Sequence, residues 1–322
     1  MIKPGYSIII SQNGTVLYKR SRGYADIEND TKISSKTKFR LASLTKPFTI
    51  MLILYLIKMG KIKLLDPVAK YFPELPNWSN IVTIDNLLRH TSGIPDFEKV
   101  LQKRSFIKGQ EPNNISALRV FTETKQLDFE PGTKQKYSES GYVLLALIIE
   151  STSGKQYAEY LYEAILQPLN MKDTLVFDKP NMKFTNRALG YASVGAKYNL
   201  FDYNPLNYII GNEGIYSTPL DLCRFCNAWF TERILPFSLL DRIFLRTKLK
   251  NGSTVKRGYS FKIDSFKGEK IAIHGGSWVG FRNMMVLIPD KKLTGFFLSN
   301  TTEYDSKEIR LNILLDLLCK YM

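Results

Sequence analysis

Residues 40–46 have the sequence RLASLTK and separate a β-rich beginning of the chain from a long apolar run. Ser43 and Lys46 are three residues apart, and residues with this spacing share one face of a helix. A serine hydroxyl is a poor nucleophile until a base takes its proton, and a lysine amine can do so when burial lowers its pKa. The S-x-x-K pattern therefore makes Ser43 a candidate nucleophile and Lys46 a candidate base, but such patterns also arise by chance in lysine-rich chains.

The residues that follow predict a buried helix from Ser43 to Met59. Residues 50–57 are apolar almost without interruption, which is typical of a helix inside a core. Pro47 falls in the first turn, where its missing N–H matters least, and Gly60 is a suitable C-terminal cap. We expect Ser43 to stand on a rigid element at a helix N-terminus, whose positive potential favours a developing oxyanion.

Strand patterns occupy both ends of the chain. Near the start, two β-rich runs flank Asn13-Gly14, a dipeptide that favours a tight hairpin turn. The last third has four further strand patterns, a turn at residues 289–291 and a final amphipathic helix from Ser306 to Cys319. The four strands are predicted at residues 259–263, 270–274, 282–288 and 293–299.

The middle of the chain predicts helices separated by loops rich in proline and glycine. Strands at both ends with helices between them indicate an α+β fold, with an antiparallel β-sheet flanked by helices. We expect residues 1–64 plus 205–322 to form this sheet lobe and residues 65–204 to form a mostly helical second lobe. The active site should lie between the two lobes. The helical patterns of the middle segment lie at residues 84–89, 115–124 and 141–152.

The composition is that of a globular protein, with 44% hydrophobic and 23% charged residues in 322. The formal charge of +15 would favour acidic partners, but the basic residues are scattered and do not concentrate with aromatic residues. We therefore expect solvated lysine-rich surfaces and no nucleic-acid site. The longest apolar run is far shorter than the ~20 residues that cross a bilayer, so no membrane span is expected. No signal-peptide pattern opens the chain, which leaves the compartment open between the cytoplasm and export after removal of a leader.

Three cysteines cannot all pair, so a disulfide framework is not expected. Cys223 and Cys226 form a C-x-x-C inside a predicted helix over residues 221–229, but the second pair of ligands that a zinc site requires is missing. We interpret the two cysteines as small buried hydrophobic residues one helical turn apart.

Several other chemistries lack their sequence patterns. The chain has only two histidines and contains neither H-E-x-x-H nor a phosphate-binding loop. The stretch from Gly275 to Val279 fails the last position of G-x-S-x-G. We expect a reaction that uses no metal and no organic cofactor.

Four more blocks follow RLASLTK along the chain, and the ordered set is far more specific than any single motif. Together the blocks resemble the serine β-lactamase-like superfamily, most closely class C β-lactamases, penicillin-binding D,D-peptidases and family VIII-type esterases. The resemblance covers almost the whole chain. The blocks are RLASLTK (40–46), LLRHTSGIPDF (87–97), FEPGTKQKYSESGYVLLALIIE (129–150), GNEGIYSTPLDLCRF (211–225) and HGGSWVGF (274–281).

The resemblance implies a mechanism in which Ser43 forms an acyl-enzyme. Lys46 would take the serine proton or hold the charge of the base that does. Tyr137 matches the tyrosine of the family's second motif, which acts as a general base or acid beside that lysine. A phenolate next to cations is physically reasonable, because opposite charge lowers a phenol's pKa.

The resemblance also assigns roles to the block that begins at residue 274. The backbone N–H groups of Ser43 and Ser277, with Gly276 beside them, would form the oxyanion hole. His274 stands where many relatives carry lysine. A histidine there could hydrogen-bond Tyr137 or a substrate carboxylate, and its charge could make activity sensitive to pH. His90, and Ser92 beside it, belong to a turn that shapes the helical region, and we interpret both as structural.

Glu139 departs from the family pattern. Relatives that act on β-lactams or peptides usually have asparagine there, whose amide can donate a hydrogen bond to a substrate carbonyl. An ionised carboxylate cannot donate, but it could pair with Lys46 and hold that amine protonated. Three hypotheses therefore stay open for a small-molecule or peptide-like acyl substrate: a β-lactamase or D,D-peptidase, an esterase or amidase of the same fold, and a non-catalytic relative that binds cell-wall material.

Overall fold

The two ends of the chain meet in one antiparallel sheet in the computed structural model, which describes residues 2–107 and 109–322. The strands are β1 (Tyr6–Gln12), β2 (Thr15–Arg22), β3 (Tyr24–Asp26), β4 (Thr31–Lys32), β5 (Phe39–Arg40), β6 (Leu175–Val176), β7 (Tyr191–Val194), β8 (Lys197–Leu200), β9 (Ile215–Ser217), β10 (Thr247–Lys248), β11 (Thr254–Val255), β12 (Lys262–Phe266), β13 (Glu269–Trp278), β14 (Phe281–Ile288) and β15 (Leu293–Ser299).

The helices surround this sheet and fill the middle of the chain. The α-helices are α1 (Lys46–Lys58), α2 (Ile84–Leu88), α3 (Phe97–Leu101), α4 (Asn114–Glu123), α5 (Glu139–Ser153), α6 (Tyr157–Leu161), α7 (Pro219–Ala228), α8 (Phe237–Leu240) and α9 (Lys307–Leu318). A π-helical turn at Tyr162–Leu166 continues α6. Short 3-10 helices lie at Ala42–Thr45, Val68–Lys70, Asn77–Asn80, Pro205–Tyr208, Asp241–Phe244, Pro289–Lys291 and Thr302–Tyr304.

The main sheet has the strand order β12-β13-β14-β15-β1-β2. Strand β1 lies between its hairpin partner β2 and β15, with Tyr6 opposite Ser299 and Gln12 opposite Leu293. The turn between β1 and β2 is made by Asn13 and Gly14 at φ of 49° and 79°, as a two-residue hairpin with the right-handed strand twist requires. The predicted α+β class, with an antiparallel sheet built from both chain ends, is confirmed.

Successive side chains of β1 point to opposite faces of the sheet and so enter two different hydrophobic clusters. Ile8 and Ile10 face the cluster that packs against α9, whereas Ile9 between them faces the larger core. This is the period of two that a strand imposes on its side chains. The larger core contains α1 and α5, which are buried over most of their length because they are apolar nearly all round.

Two predicted elements differ from the structure. The helix expected from Ser43 begins as the 3-10 helix Ala42–Thr45, and α1 proper starts at Lys46. The strand expected at residues 259–263 is wrong: β12 starts at Lys262, because Ser260 has a φ of 60° and turns the chain. The middle segment also contains three short strands, β6 to β8, and the division into two lobes stays a prediction.

Over residues 2–107 and 109–322, no helix combines the length and apolar character needed to cross a bilayer.

Candidate active site

Ser43 lies in a strained turn between β5 and α1. The preceding Ala42 has a φ of 52°, in the left-handed region that alanine rarely adopts. Such strain persists only where surrounding contacts hold it, and it is concentrated at functional sites. Ser43 lies in the 3-10 helix Ala42–Thr45, and Lys46 follows it directly as the first residue of α1.

Two neighbouring strands hold this turn. The side-chain amide of Asn283, on β14, donates hydrogen bonds to the carbonyl oxygens of Arg40 at 2.9 Å and Leu41 at 3.1 Å. The Leu41 N–H donates to the carbonyl oxygen of Ile215, on β9, at 2.8 Å. Asn283 is fully buried, so its amide is committed to the turn. No sequence pattern identified this role for Asn283.

Lys46 is fully buried and forms an ion pair with Glu139 at the start of α5, with 2.5 Å between Nζ and Oε2. Its ammonium also donates to the carbonyl oxygen of Asn212 at 3.2 Å. Burial acts to lower the pKa of Lys46, but the Glu139 carboxylate and the Tyr137 phenol outweigh it, so that the pKa lies above its ordinary value. The predicted pairing of Glu139 with Lys46 is confirmed.

Tyr137 lies next to the Lys46–Glu139 ion pair. The Lys46 ammonium lies 4.9 Å from the centroid of the Tyr137 ring, and Tyr137 lines the same cleft as Ser43. Burial of the hydroxyl and the Glu139 carboxylate raise the pKa of Tyr137 to about 12, although Lys46 and Ser43 oppose them. The geometry therefore brings together Ser43, Lys46 and Tyr137, while leaving the last two protonated at neutral pH.

Strand β13 passes directly over the Ser43 turn. A Cβ atom at Gly276 would lie 2.3 Å from the carbonyl oxygen of Leu41, so only glycine allows this close approach. Strand β12 pairs with β13 only as far as Ile273, which leaves the following edge of β13 uncovered by β12. Ser277 lies on this stretch and is exposed. Its N–H, with that of Ser43, remains the predicted oxyanion hole.

His274 lines the cleft, but it does not make the expected hydrogen bond to Tyr137. Its Nδ1 lies 2.8 Å from the carbonyl oxygen of Gly275, and its Nε2 lies 2.6 Å from the hydroxyl of Ser260. Burial, with Lys46 and Arg257 adding positive charge nearby, holds the pKa of His274 well below its ordinary value. This direction of the pKa shift favours a neutral ring, and the pH sensitivity expected of His274 stays a prediction.

His90 lies behind Tyr137, with 4.5 Å between the ring centroids. Its Nδ1 accepts a hydrogen bond from the Ser138 N–H at 3.1 Å. Ser92, close in sequence, accepts from the Ile94 N–H at 3.4 Å. His90 thus supports the second motif from outside the cleft.

Three motifs contribute to one cleft of about 570 Å³: the S-x-x-K segment through Ser43, the second motif through Tyr137 and Glu139, and the third motif, residues 274–277, through His274 and Ser277. Three cations that the sequence analysis did not single out also line it: Arg257, Lys262 and Lys307. Lys262 forms an ion pair with Asp264, whereas Arg257 contacts the Tyr137 ring at 5.3 Å and donates to the Ser260 carbonyl oxygen. Scattered single cations leave no recognisable spacing, which is why the sequence did not reveal this wall.

Two acidic residues lie close to the Lys46–Glu139 pair. Burial and the neighbouring Glu139 raise the pKa of Glu98 to about 8. Glu213 is buried, and burial together with Glu139 and Glu98 raises its pKa well above the ordinary value. Both carboxyl groups therefore favour the protonated form more than a solvated glutamate does.

The C-x-x-C motif lies apart from this site. Cys223 and Cys226 are buried on α7 and are free thiols. Burial raises the pKa of both thiols, as expected for small core residues. Their interpretation as buried hydrophobic residues is confirmed.

Comparisons with known proteins test the resemblance that the ordered blocks predict. The family model described as Beta-lactamase matches residues 1–320. The chain belongs to the Beta-lactamase family. The resemblance that the ordered sequence blocks predicted is thus confirmed over nearly the whole chain.

Other members of the Beta-lactamase family and its fold show how the chain compares in detail. Penicillin-binding protein 4* of Bacillus subtilis is 29% identical over 93% of this chain and 69% of its own. The octameric penicillin-binding protein homologue from Pyrococcus abyssi is 28% identical with a TM-score of 0.82, over 98% of this chain and 73% of that one. D-amino acid amidase from Ochrobactrum anthropi SV3, complexed with L-phenylalanine amide, is 26% identical with a TM-score of 0.77, over 92% and 86% of the two chains.

The chain matches only part of the length of these curated relatives. The chain spans between 61% and 69% of the length of the curated relatives that it matches. What it shares with them is the Beta-lactamase region that carries the three motifs.

Proposed function

We propose that the protein is a serine hydrolase that forms an acyl-enzyme at Ser43 and acts as a D,D-peptidase or amidase. The observation that carries the proposal is that Ser43, Tyr137, Glu139, His274 and Ser277, drawn from three separate segments, line one cleft. Family membership supports a hydrolase, because the chain matches the Beta-lactamase family model and is similar to a penicillin-binding protein and to a D-amino acid amidase.

The proposed role of Glu139 follows from the protonation of its neighbours. A nucleophilic serine needs a base, but Lys46 and Tyr137 both carry their protons in the resting site. The Glu139 carboxylate lies 2.5 Å from the Lys46 ammonium and can accept one of its protons. Once substrate excludes water, a neutral amine beside a neutral acid becomes favourable relative to a buried ion pair. Lys46 is then the base.

Acylation proceeds by attack of Ser43 on the acyl carbon of the substrate. The Ser43 proton moves to the free Lys46 amine, directly or through the Tyr137 hydroxyl, while Ser43 Oγ bonds to the acyl carbon. The oxyanion lies against the Ser43 and Ser277 N–H groups. The amine or alcohol leaving group departs with a proton returned from Tyr137 or Lys46. Water then hydrolyses the ester and regenerates Ser43.

The charges along the cleft support a peptide-like acyl donor. Two acidic side chains, Glu308 and the Lys46-paired Glu139, line the cleft and can accept a hydrogen bond from an amino group of the substrate. Arg257, Lys262 and Lys307 line the cleft as well and favour an anionic group on the substrate. A short peptide or amino acid amide bears charges of this kind, and a D-amino acid amidase is among the structures of this fold.

The test is the intact mass of the protein over time with a penicillin, with p-nitrophenyl acetate and with D-phenylalanine amide. We expect an adduct or turnover with the ester or the amide, and its loss in Ser43→Ala. Ser35→Ala, which removes an exposed serine, is the matched control. A penicillin adduct that persists indicates a penicillin-binding peptidase, and one that turns over indicates a β-lactamase. Absence of any adduct and any turnover in the folded wild-type protein would refute catalysis and favour a binding relative.

A further inference from the structure

Ser260 joins the two histidines of the chain in a buried hydrogen-bonded series. The His90 Nε2 lies 3.3 Å from the Ser260 hydroxyl, and the His274 Nε2 lies 2.6 Å from the same oxygen. All three residues are buried, with at most 3% of their surface exposed. The outer ring nitrogens contact the backbone at Ser138 and Gly275. The series therefore connects the second motif with the third.

The backbone contacts fix the protons of this series. The Ser138 N–H can only donate, so His90 Nδ1 must accept, and a neutral His90 carries its proton on Nε2. The Gly275 carbonyl can only accept, so His274 Nδ1 must carry a proton, and a neutral His274 accepts at Nε2. Ser260 then accepts from His90 and donates to His274. All five groups are satisfied by one arrangement in which both rings are neutral.

Positive charge around the rings favours this neutral state. The Lys46 ammonium and the Arg257 guanidinium lie 4.9 Å and 5.3 Å from the centroid of the Tyr137 ring, which His90 also contacts. Burial, with these cations nearby, lowers the pKa of both histidines well below the ordinary value. The charged and titratable groups around the two rings are Lys46, Tyr137, Tyr142, Arg257 and Lys307.

The backbone at Ser260 is strained, so holding its hydroxyl between the two histidines has an energetic cost. Its φ of 60° lies in the left-handed region, where a serine is strained and glycine is not. The Arg257 guanidinium donates to the Ser260 carbonyl oxygen and so holds the turn against the cleft. A strained and fully buried hydroxyl between two histidines has the character of a functional constraint rather than of a loop residue.

We propose that Ser260 is a positioning residue: its hydroxyl holds His90 and His274 in opposite neutral tautomers and thereby fixes Tyr137 and strand β13 around Ser43. The proposal rests on the proposed function only in its effect on rate. The tautomers themselves are a property of the folded protein, whether or not Ser43 reacts.

The experiment is ¹⁵N NMR of histidine-labelled protein, in which two histidines give two unambiguous sets of signals. We expect one ring in the Nδ1–H tautomer, assigned to His274 by its loss in His274→Gln, and the other in the Nε2–H tautomer. Neither should titrate between pH 5 and 8. An Nε2–H tautomer at His274, or an ordinary titration of either ring in wild type, would overturn the proposal whatever the outcome with acylating probes.

Ser260→Gly removes the hydroxyl and also relieves the strained φ, so the variant is expected to fold. We expect at least one ring to change tautomer or to titrate between pH 5 and 8, and acylation of Ser43 to slow by about 10- to 100-fold, the range for a misplaced catalytic group. Ser265→Gly on β12, an exposed position, is the matched control and should match wild type. Tautomers and titration unchanged in Ser260→Gly would overturn the proposal, even if Ser43 proves inert in every form of the protein.

Discussion

Replacing Glu139 by glutamine keeps the size of the side chain and removes the negative partner of Lys46. In the wild-type protein Lys46 is fully buried and the Glu139 side chain is 17% exposed, so solvent screens their 2.5 Å ion pair weakly. Without the carboxylate, burial is the dominant influence on the amine, and it acts to lower the pKa of Lys46. The free amine should then appear at much lower pH.

The size of the shift follows from the cost of leaving a buried charge unpaired. Breaking such a pair costs about 3–5 kcal/mol, and at about 1.4 kcal/mol per pKa unit this corresponds to roughly two to four units. The rising limb of acylation rate against pH should therefore move by about two to four pH units towards neutrality in Glu139→Gln. The sign is fixed for the protein without substrate, because Glu139 raises the amine pKa and its removal brings the free amine to lower pH. Proton transfer to Glu139 in the substrate complex is lost in the same variant, so the shift is measured from the pH of half-maximal rate and not from the rate at one pH.

The assay is the burst of p-nitrophenol from p-nitrophenyl acetate between pH 6 and pH 10, with Glu159→Gln as an exposed control on α6. Stability gives a second measurement that does not need a reaction. Since the folded-state pKa of Lys46 is raised, the pair stabilises the fold below the ordinary lysine pKa of about 10.4 and loses this effect above the folded value. Glu139→Gln should lower the free energy of unfolding at pH 7 by about 3 kcal/mol. A pH profile that superimposes on wild type, with unchanged stability, would refute the reasoning.

Two further predictions concern groups around this pair. Gly276→Ala places a Cβ atom 2.3 Å from the Leu41 carbonyl oxygen, and should slow acylation by about 100-fold and destabilise the fold by about 1–3 kcal/mol. Gly275→Ala, whose Cβ meets nothing closer than 3.8 Å, should lose far less of both, and equal losses in the two variants would contradict the steric argument. The raised pKa of Glu98, about 8 against an ordinary 4.5, means that its contribution to stability is lost as pH rises through that window. Glu98→Gln should therefore raise the free energy of unfolding at pH 7 by about 1–3 kcal/mol and match wild type near pH 4.5, and a constant difference between these pH values in urea titrations would count against it.

The sequence predicted the parts of the molecule that follow from local pattern. The hairpin at Asn13-Gly14 and the buried helices follow from turn chemistry and from apolar residues at the helical period. Motif spacing and order predicted Ser43, Lys46 and Tyr137 as site residues, and their catalytic roles stay predictions. The pairing of Glu139 with Lys46 was also expected, since a carboxylate next to a catalytic amine has few other uses.

The remaining features of the site and fold depend on contacts between residues far apart in sequence, which a local sequence pattern does not predict. Asn283 and Arg257 act on residues far away in sequence, and a single asparagine or arginine has no spacing that marks its role. The strand expected at residues 259–263 was wrong because alternating apolar residues Tyr259 and Phe261 face the core around a turn rather than along a strand. The position of His274 in the cleft was expected from its block, but the lowered pKa was not, because it follows from burial and from Lys46 and Arg257, which lie far away in sequence.

The pairing of β1 with β15 has a consequence for how the protein is made. Ser11 and Thr294 hydrogen-bond across a separation of 283 residues. Strand β1 therefore cannot pair with β15, its second neighbour in the sheet, until residues 293–299 have been made. Topologies dominated by such distant pairings have high contact order and fold slowly, because loop closure precedes the stabilising contacts. On a ribosome the hairpin of β1 and β2 would emerge early with one edge exposed, and Asn283, which secures the Ser43 turn, would emerge late. The Ser43 turn therefore acquires its hydrogen bonds to Asn283 only after the segment up to residue 283 has been made.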